Sequence, residues 1–195
     1  MGKIFCVMGK SSSGKDTIYK KVLEREDLHL KKIVPYTTRP IRKNEIDGVE
    51  YHFVDASRRD KLMEMGKIIE IRSYNTIYGV WDYFTVDDGE IDLETQDYLL
   101  IGTLDTYEKL RKYYDSEQIC PIYIEVEDGV RLERALRREK KQTKPKYEEM
   151  CRRFLADQRD FSKERLENLN IDHRFENVTL EETVNQVAEY ILAHR

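Results

Sequence analysis

Apolar positions along the chain fall into two patterns. Short unbroken runs at Ile4 to Met8, Tyr98 to Ile101 and Ile119 to Val126, with a shorter one at Ile68 to Ile71 and strand-like residues at Lys32 to Val34, read as strands buried on both faces. Helical spacing appears between them. Ile18, Val22 and Leu23 share one face of a helix expected from Lys15 to Arg25. Asp55 is placed to cap a helix that ends at Gly66, and Thr103 to Tyr114 reads as another. Asp128 is expected to cap a helix through the segment that follows, with a further helix from about Lys146 to Asn168. In the last helix, Thr179 and Glu182 have the spacing of a capping box, and Val184, Val187, Ala188 and Ile191 follow at helical intervals. Strands alternating with helices predict an α/β fold with a mainly parallel sheet covered on both faces. Arg39 to Val54 breaks the pattern as a polar arm punctuated by Pro40 and Gly48.

At 195 residues, the chain suits one domain, or one domain carrying small lobes. Charged residues make up 37% and the formal net charge is -4, which excludes a protein that coats nucleic acid as a polycation. The charge is uneven. Arg131 to Lys146 holds eight bases against two acids, whereas Asp87 to Asp97 holds six acids and no base. The acidic run reads as a solvated face; the basic run, inside a helical pattern, is a candidate anion site. Cys6, Cys120 and Cys151 lie far apart and are expected to be reduced thiols of a cytoplasmic protein. Ile4 to Met8 is too short for a signal segment or a membrane span, so no membrane partner is expected. The histidines show no metal-ligand spacing, and Trp81 beside Tyr78 and Tyr83 reads as packing.

The sharpest chemical signal is Gly9-Lys10-Ser11-Ser12-Ser13-Gly14-Lys15-Asp16-Thr17. It follows an expected strand and opens an expected helix, the setting a phosphate loop requires. Glycines let the backbone turn its N–H groups inward, the helix N-terminus adds partial positive charge, and Lys15 reaches the outer phosphates. The residue after the lysine is usually a hydroxyl residue that ligates Mg²⁺. Here it is Asp16, a hard oxygen donor also suited to that ion, with Thr17 next.

The loop and the residues after it resemble the guanylate kinase family over nearly the whole chain. Thr37-Thr38-Arg39-Pro40-Ile41-Arg42-Lys43-Asn44-Glu45 is similar to the family's TTR-x-x-R-x-x-E element. It continues through Gly48, Tyr51, Phe53 and Val54, then Ile69-Glu70 and Tyr78-Gly79. The resemblance implies a P-loop NTPase-type sheet flanked by helices, with a monophosphate-binding lobe over about 35–97, a helical lid over about 131–168, and a core from the remainder. It implies ATP with Mg²⁺ as co-substrate and phosphoryl transfer to a nucleoside monophosphate, most simply GMP. ATP would lie on residues 9–17 with Arg134 and Asn177. Arg39, Arg42, Glu45, Tyr51 and Tyr78 would serve the monophosphate, and Glu70 the base. Lys15, Arg39, Arg138 and Arg153 would act on the transferring group, with Asp16 and Thr17 at the metal. Small nucleotides are the implied partners, with the chain a monomer or homodimer that binds no nucleic acid.

Departures gather at the base. Pro35 and Val80 stand where the family usually has hydroxyl residues, and Ile101 and Thr103 where it has two aspartates; Asp105, two positions on, is a candidate substitute. The phosphate side of the acceptor site is kept better than the base side. Two other readings stay open on these residues: a kinase for another small phosphorylated metabolite, and a non-catalytic module of the same fold, against which the retained Lys15 speaks.

Overall fold

The structure, a computed structural model, describes residues 1–76 and 79–195. Five parallel strands form the central sheet: β1 (Ile4–Met8), β2 (Lys31–Lys32), β7 (Tyr98–Ile101), β8 (Ile119–Glu125) and β9 (Arg174–Glu176). Their order is β2-β7-β1-β8-β9. The middle strand, β1, is completely buried, and its alternation divides the core. Ile4, Cys6 and Met8 face one layer with Leu100, Leu104, Tyr107 and Phe161; Phe5 and Val7 face the other with Ile18, Val22, Val187 and Ile191. The first layer is closed by α3 (Leu104–Tyr113) and α6 (Lys163–Asn168), the second by α1 (Lys15–Leu23) and α7 (Leu180–Ala193). Each fully buried aliphatic or aromatic side chain contributes roughly 1.5–3 kcal/mol of transfer free energy, so this two-faced burial holds the loop after β1 on a rigid base.

A second sheet, in the order β4-β3-β6-β5, is built from β3 (Tyr36–Thr37), β4 (His52–Phe53), β5 (Ile68–Thr76) and β6 (Gly79–Val86). It packs Phe84, Val86, Ile68 and Ile71 against Leu62 of α2 (Ala56–Glu64). Asp55 caps α2 by accepting from the Arg58 N–H at 2.7 Å, and Gly66 follows with φ +67°, as the sequence leads one to expect. Strand β6 is not signalled by a simple apolar run, because Asp82 interrupts its alternation. The buried carboxylate is satisfied by Arg59 and by the Ser73 hydroxyl at 2.6 Å, which allows the strand to continue through it.

Several boundaries differ from the sequence expectation. The first helix stops at Leu23, and the strand expected at residues 32–34 is Lys31–Lys32. The expected helix over residues 146–168 is two, α5 (Tyr147–Asp160) and α6. The chain breaks because Phe161 turns into the core and Ser162 caps α6 through the Arg165 N–H. Helix α4 (Asp128–Lys140) is capped by Glu127, whose carboxylate accepts from the Gly129 and Val130 N–H groups at 2.8 and 2.9 Å. Asp128 is thereby free for contacts described below. Thr179 precedes α7, but its hydroxyl bonds the Glu182 carboxylate at 2.5 Å and caps no backbone N–H. No helix among the described residues is long and apolar enough to cross a membrane.

Candidate functional site

The loop over residues 9–17, the candidate phosphate loop, leaves β1 at the C-terminal edge of the sheet, between β7 and β8, where open α/β sheets form their ligand crevice. Gly14 has φ +87°, and a Cβ there would lie 2.4 Å from Asn177 Nδ2. That nitrogen donates to the Ser13 carbonyl at 2.7 Å, so both conformation and close approach favour glycine here. Ser12 has φ +65°, a left-handed conformation that a serine adopts at a cost. The Ser12 and Ser13 hydroxyls are both buried without a hydrogen-bond partner, an arrangement that a bound anion would satisfy. Lys15 Nζ lies 3.4 Å from Asp16 Oδ2, and Asp16 and Thr17 are exposed at the mouth. Ser12→Gly should therefore raise stability by about 1 kcal/mol, through relief of strain and of the orphaned hydroxyl. A rise in Tm of roughly 2–4 °C would register it.

Arginines reach this loop from α4 and α5. Arg134, Arg138 and Arg153 line one cleft, of about 650 Å³, together with Ser12, Gly14, Asp16, Thr17 and Asn177. Arg153 Nη2 donates to Ser11 Oγ at 3.3 Å, and Arg134 Nη2 reaches the Asn177 carbonyl at 3.5 Å. Arg138 is exposed and makes no side-chain hydrogen bond among the described residues. An adjoining cavity of about 580 Å³ runs along the end of β8, bounded by Lys10, Asp128, Arg134, Asn177 and Val178.

Beneath the cleft lies a network that spacing did not reveal. Arg131, 1% exposed, donates from Nε to the Ser11 carbonyl at 3.0 Å, from Nη1 to Asp128 at 2.5 Å and from Nη2 to Asp157 at 3.0 Å. Its guanidinium also stacks 4.9 Å from the Phe154 ring. Asp157 accepts the Ser11 N–H at 2.8 Å. Gln158 joins Lys10 to Asp128, accepting from the one at 2.7 Å and donating to the other at 2.5 Å. Burial pushes the Asp128 carboxyl up, but hydrogen bonds from Gln158 and Arg131 prevail and hold it below its ordinary range. The Asp128/Arg131 spacing, one turn apart, is the sequence signal that could have found it.

On the second sheet, Arg39 is 3% exposed. Both of its Nη groups are clamped by the two carboxylate oxygens of Glu45, at 2.8 and 2.9 Å, and Nε donates to the Tyr83 hydroxyl at 3.1 Å. The rings of Tyr51 and Phe53 lie 5.5 and 5.4 Å from its guanidinium carbon. The hydrogen bonds from Arg39 hold the Glu45 carboxyl below its usual range. Arg42 is exposed, and its guanidinium makes no hydrogen bond among the described residues. Burial raises the Tyr51 phenol, which keeps its hydroxyl a donor. Glu70 is buried at 2% exposure, accepting from the Thr85 hydroxyl at 2.9 Å and from Arg72 Nε at 3.1 Å. Asp105, weighed as a substitute near the base, is instead paired with Arg165 at 2.5 Å. Tyr78 lies outside the described residues.

A sequence profile of the guanylate kinase family matches residues 1–194. Among individual relatives, the guanylate kinase of Zymomonas mobilis is 40% identical over 70 residues, covering 35% of this chain and 32% of that protein. The guanylate kinase of Aliivibrio fischeri is 32% identical over 93 residues, 45% of each. The matched stretches therefore span less than half the length of these curated relatives. A crystal structure of guanylate kinase from Anaplasma phagocytophilum superposes over 98% of this chain and 85% of its own with a TM-score of 0.64, at 24% identity, a likeness of fold. The match across 194 of the 195 residues, on a chain that folds its phosphate loop against three convergent arginines, shows that it belongs to the guanylate kinase family.

Proposed function

We propose that this chain transfers the γ-phosphate of ATP to GMP, giving GDP and ADP. One observation carries the reading: the phosphate loop and Arg134, Arg138 and Arg153 converge on a single cleft, which is where charge must be stabilised in phosphoryl transfer. The loop N–H groups, the Ser12 and Ser13 hydroxyls and Lys15 hold the outer phosphates of ATP. The cavity along β8 beside Asn177 takes its base and sugar. Arg42 and Tyr51, with Tyr78, take the acceptor phosphate. Arg39 belongs to the same group by motif; with its fork committed to Glu45, it stiffens the arm that carries Arg42, and Glu45 acts through it. Arg138 and Arg153 neutralise the transferring group, and closure of α4 and α5 over the cleft excludes water.

Two hard oxygen donors at the mouth of the loop, Asp16 and Thr17, fit Mg²⁺ carried on ATP, and would hold it there. Bound so, the ion would offset charge on the phosphate oxygens. Cys6 and Cys120 are buried free thiols and Cys151 is an exposed one, consistent with a cytoplasmic chain; its partners are small nucleotides.

Coupled measurement of ADP release across the common monophosphates tests the reaction, with GMP expected to be the preferred acceptor. Two substitutions test the roles. Arg42→Ala should raise KM for GMP roughly 10- to 100-fold with ATP binding nearly unchanged, since it removes a charge-assisted contact to the acceptor alone. Arg138→Ala should chiefly lower kcat, since among the described residues its guanidinium has no hydrogen-bond partner before the cleft is filled. Equal weakening of ATP binding by both, with the acceptor spared, would reverse the assignment.

A further inference from the structure

The face of the second sheet that carries Glu70 also carries a cation that the phosphate chemistry leaves unused. In the β5–β6 ladder Glu70 stands opposite Thr85, Arg72 opposite Tyr83, and Tyr74 opposite Trp81. Alternation therefore sets Glu70, Arg72 and Tyr74 on one face. The Tyr83 ring meets Tyr51 edge to face at 5.6 Å, and its hydroxyl accepts from Arg39, so this is the face over which the acceptor residues lie. Arg72 covers Glu70: the glutamate side chain is 1% exposed and the arginine 26%. Both carboxylate oxygens are already engaged, by Thr85 and by Arg72 Nε. The Nη groups of Arg72 make no hydrogen bond among the described residues. The sheet thus presents a donor fork to the acceptor, with the carboxylate behind it.

We propose that Arg72 reads the acceptor base, its guanidinium fork donating to the adjacent O6 and N7 acceptors of a 6-oxopurine, with Glu70 as the positioning residue that holds the fork. The assignment rests on the kinase reading above. Arginine pairs with O6 and N7 in a bidentate manner. Adenine offers an amine beside N7, so one of the two bonds becomes a donor facing a donor, and pyrimidines lack N7. Pro35 and Val80 have no polar side chain to contribute; Arg72 supplies a donor from a different strand. Hypoxanthine keeps both acceptors, so IMP should be used nearly as well as GMP. A site that read the 2-amino group through an open carboxylate would reject it.

Steady-state kcat/KM for GMP, IMP, AMP and 7-deaza-GMP, with wild type, Arg72→Ala and Arg72→Lys, tests this. Wild type should use IMP within about 10-fold of GMP and should lose roughly 3- to 10-fold on 7-deaza-GMP, which keeps O6 and so forfeits about half of one bidentate pair. Arg72→Ala should lower kcat/KM for GMP by roughly 10- to 100-fold, the size of the whole pair, and level GMP with 7-deaza-GMP, at unchanged ATP affinity. Arg72→Lys, a point donor, should recover part of the GMP rate without the dependence on N7. Equal use of GMP and 7-deaza-GMP by wild type overturns the assignment without any variant, so a poorly folding Arg72→Ala cannot shelter it. A GMP to 7-deaza-GMP ratio that survives Arg72→Ala overturns it as well. Failure of wild type to phosphorylate any of the four overturns the kinase reading itself, and the assignment with it.

Discussion

Lys15→Ala should lower turnover by two orders of magnitude or more and leave the fold intact. Among the described residues the side chain has one protein partner, the Asp16 carboxylate at 3.4 Å, which is itself three-quarters exposed. Such a pair contributes little to stability, so thermal unfolding should be nearly unchanged. The loop is held by other means: Gly14 against Asn177, the Ser13 carbonyl on Asn177 Nδ2, and Ser11 on Arg131 and Asp157. What the substitution removes is a cation from the loop that carries the two orphaned hydroxyls, where the proposed reading puts the outer phosphates. Removal of a preorganised charge from a phosphoryl-transfer site is worth about 10²–10³ in kcat. Single-turnover rates, ATP affinity and Tm measured on one preparation separate the outcomes. A variant that keeps most of its turnover would sink the role of Lys15, whereas lost turnover at an unchanged Tm supports it.

How much of this was legible beforehand depends on the kind of signal. The loop after β1 was readable because its backbone geometry favours glycine at particular positions: Gly14, with φ +87° and Asn177 packed against it, strongly disfavours a side chain. The central strands were readable because burial on both faces leaves an unbroken apolar run, as in β1. Where a polar group was buried and satisfied by distant partners, the pattern failed. Asp82 disguised β6, since its partners Arg59 and Ser73 come from α2 and β5. The break between α5 and α6 was hidden because Phe161 fits a helical pattern, and only the core shows where its side chain must go. The motif assigns Arg39 to the phosphate, but that its fork is taken up by Glu45, six residues on, shows only in the folded arm. Within the basic run, sequence could not tell the exposed Arg138 from the buried Arg131, although the two are opposite in environment.

That difference predicts the other large effect. Arg131→Met should destabilise the chain by about 3 kcal/mol, because it leaves Asp157 and the Ser11 carbonyl without their partner inside the protein. Asp128 loses less, being nearly half exposed. For a chain of this length the shift is roughly 6–12 °C in Tm. Methionine keeps much of the packing against Phe154, so loss of the charge should dominate over loss of volume. Pairing Arg131→Met with Asp157→Asn should recover part of the loss, since no half-buried carboxylate is then left without its arginine; two single effects that simply add would contradict direct coupling. The same network joins α4 and α5 to the loop: Arg131 and Asp128 stand on α4, Asp157 and Gln158 on α5, and all four reach residues 10 and 11 directly or through one another. Arg134 and Arg138 ride on the first helix and Arg153 on the second. Loosening their common base should therefore lower kcat, through misplaced arginines, with KM for the monophosphate changed little. Measured well below the lowered Tm, a kcat equal to that of wild type would show that the arginines find their places without Arg131.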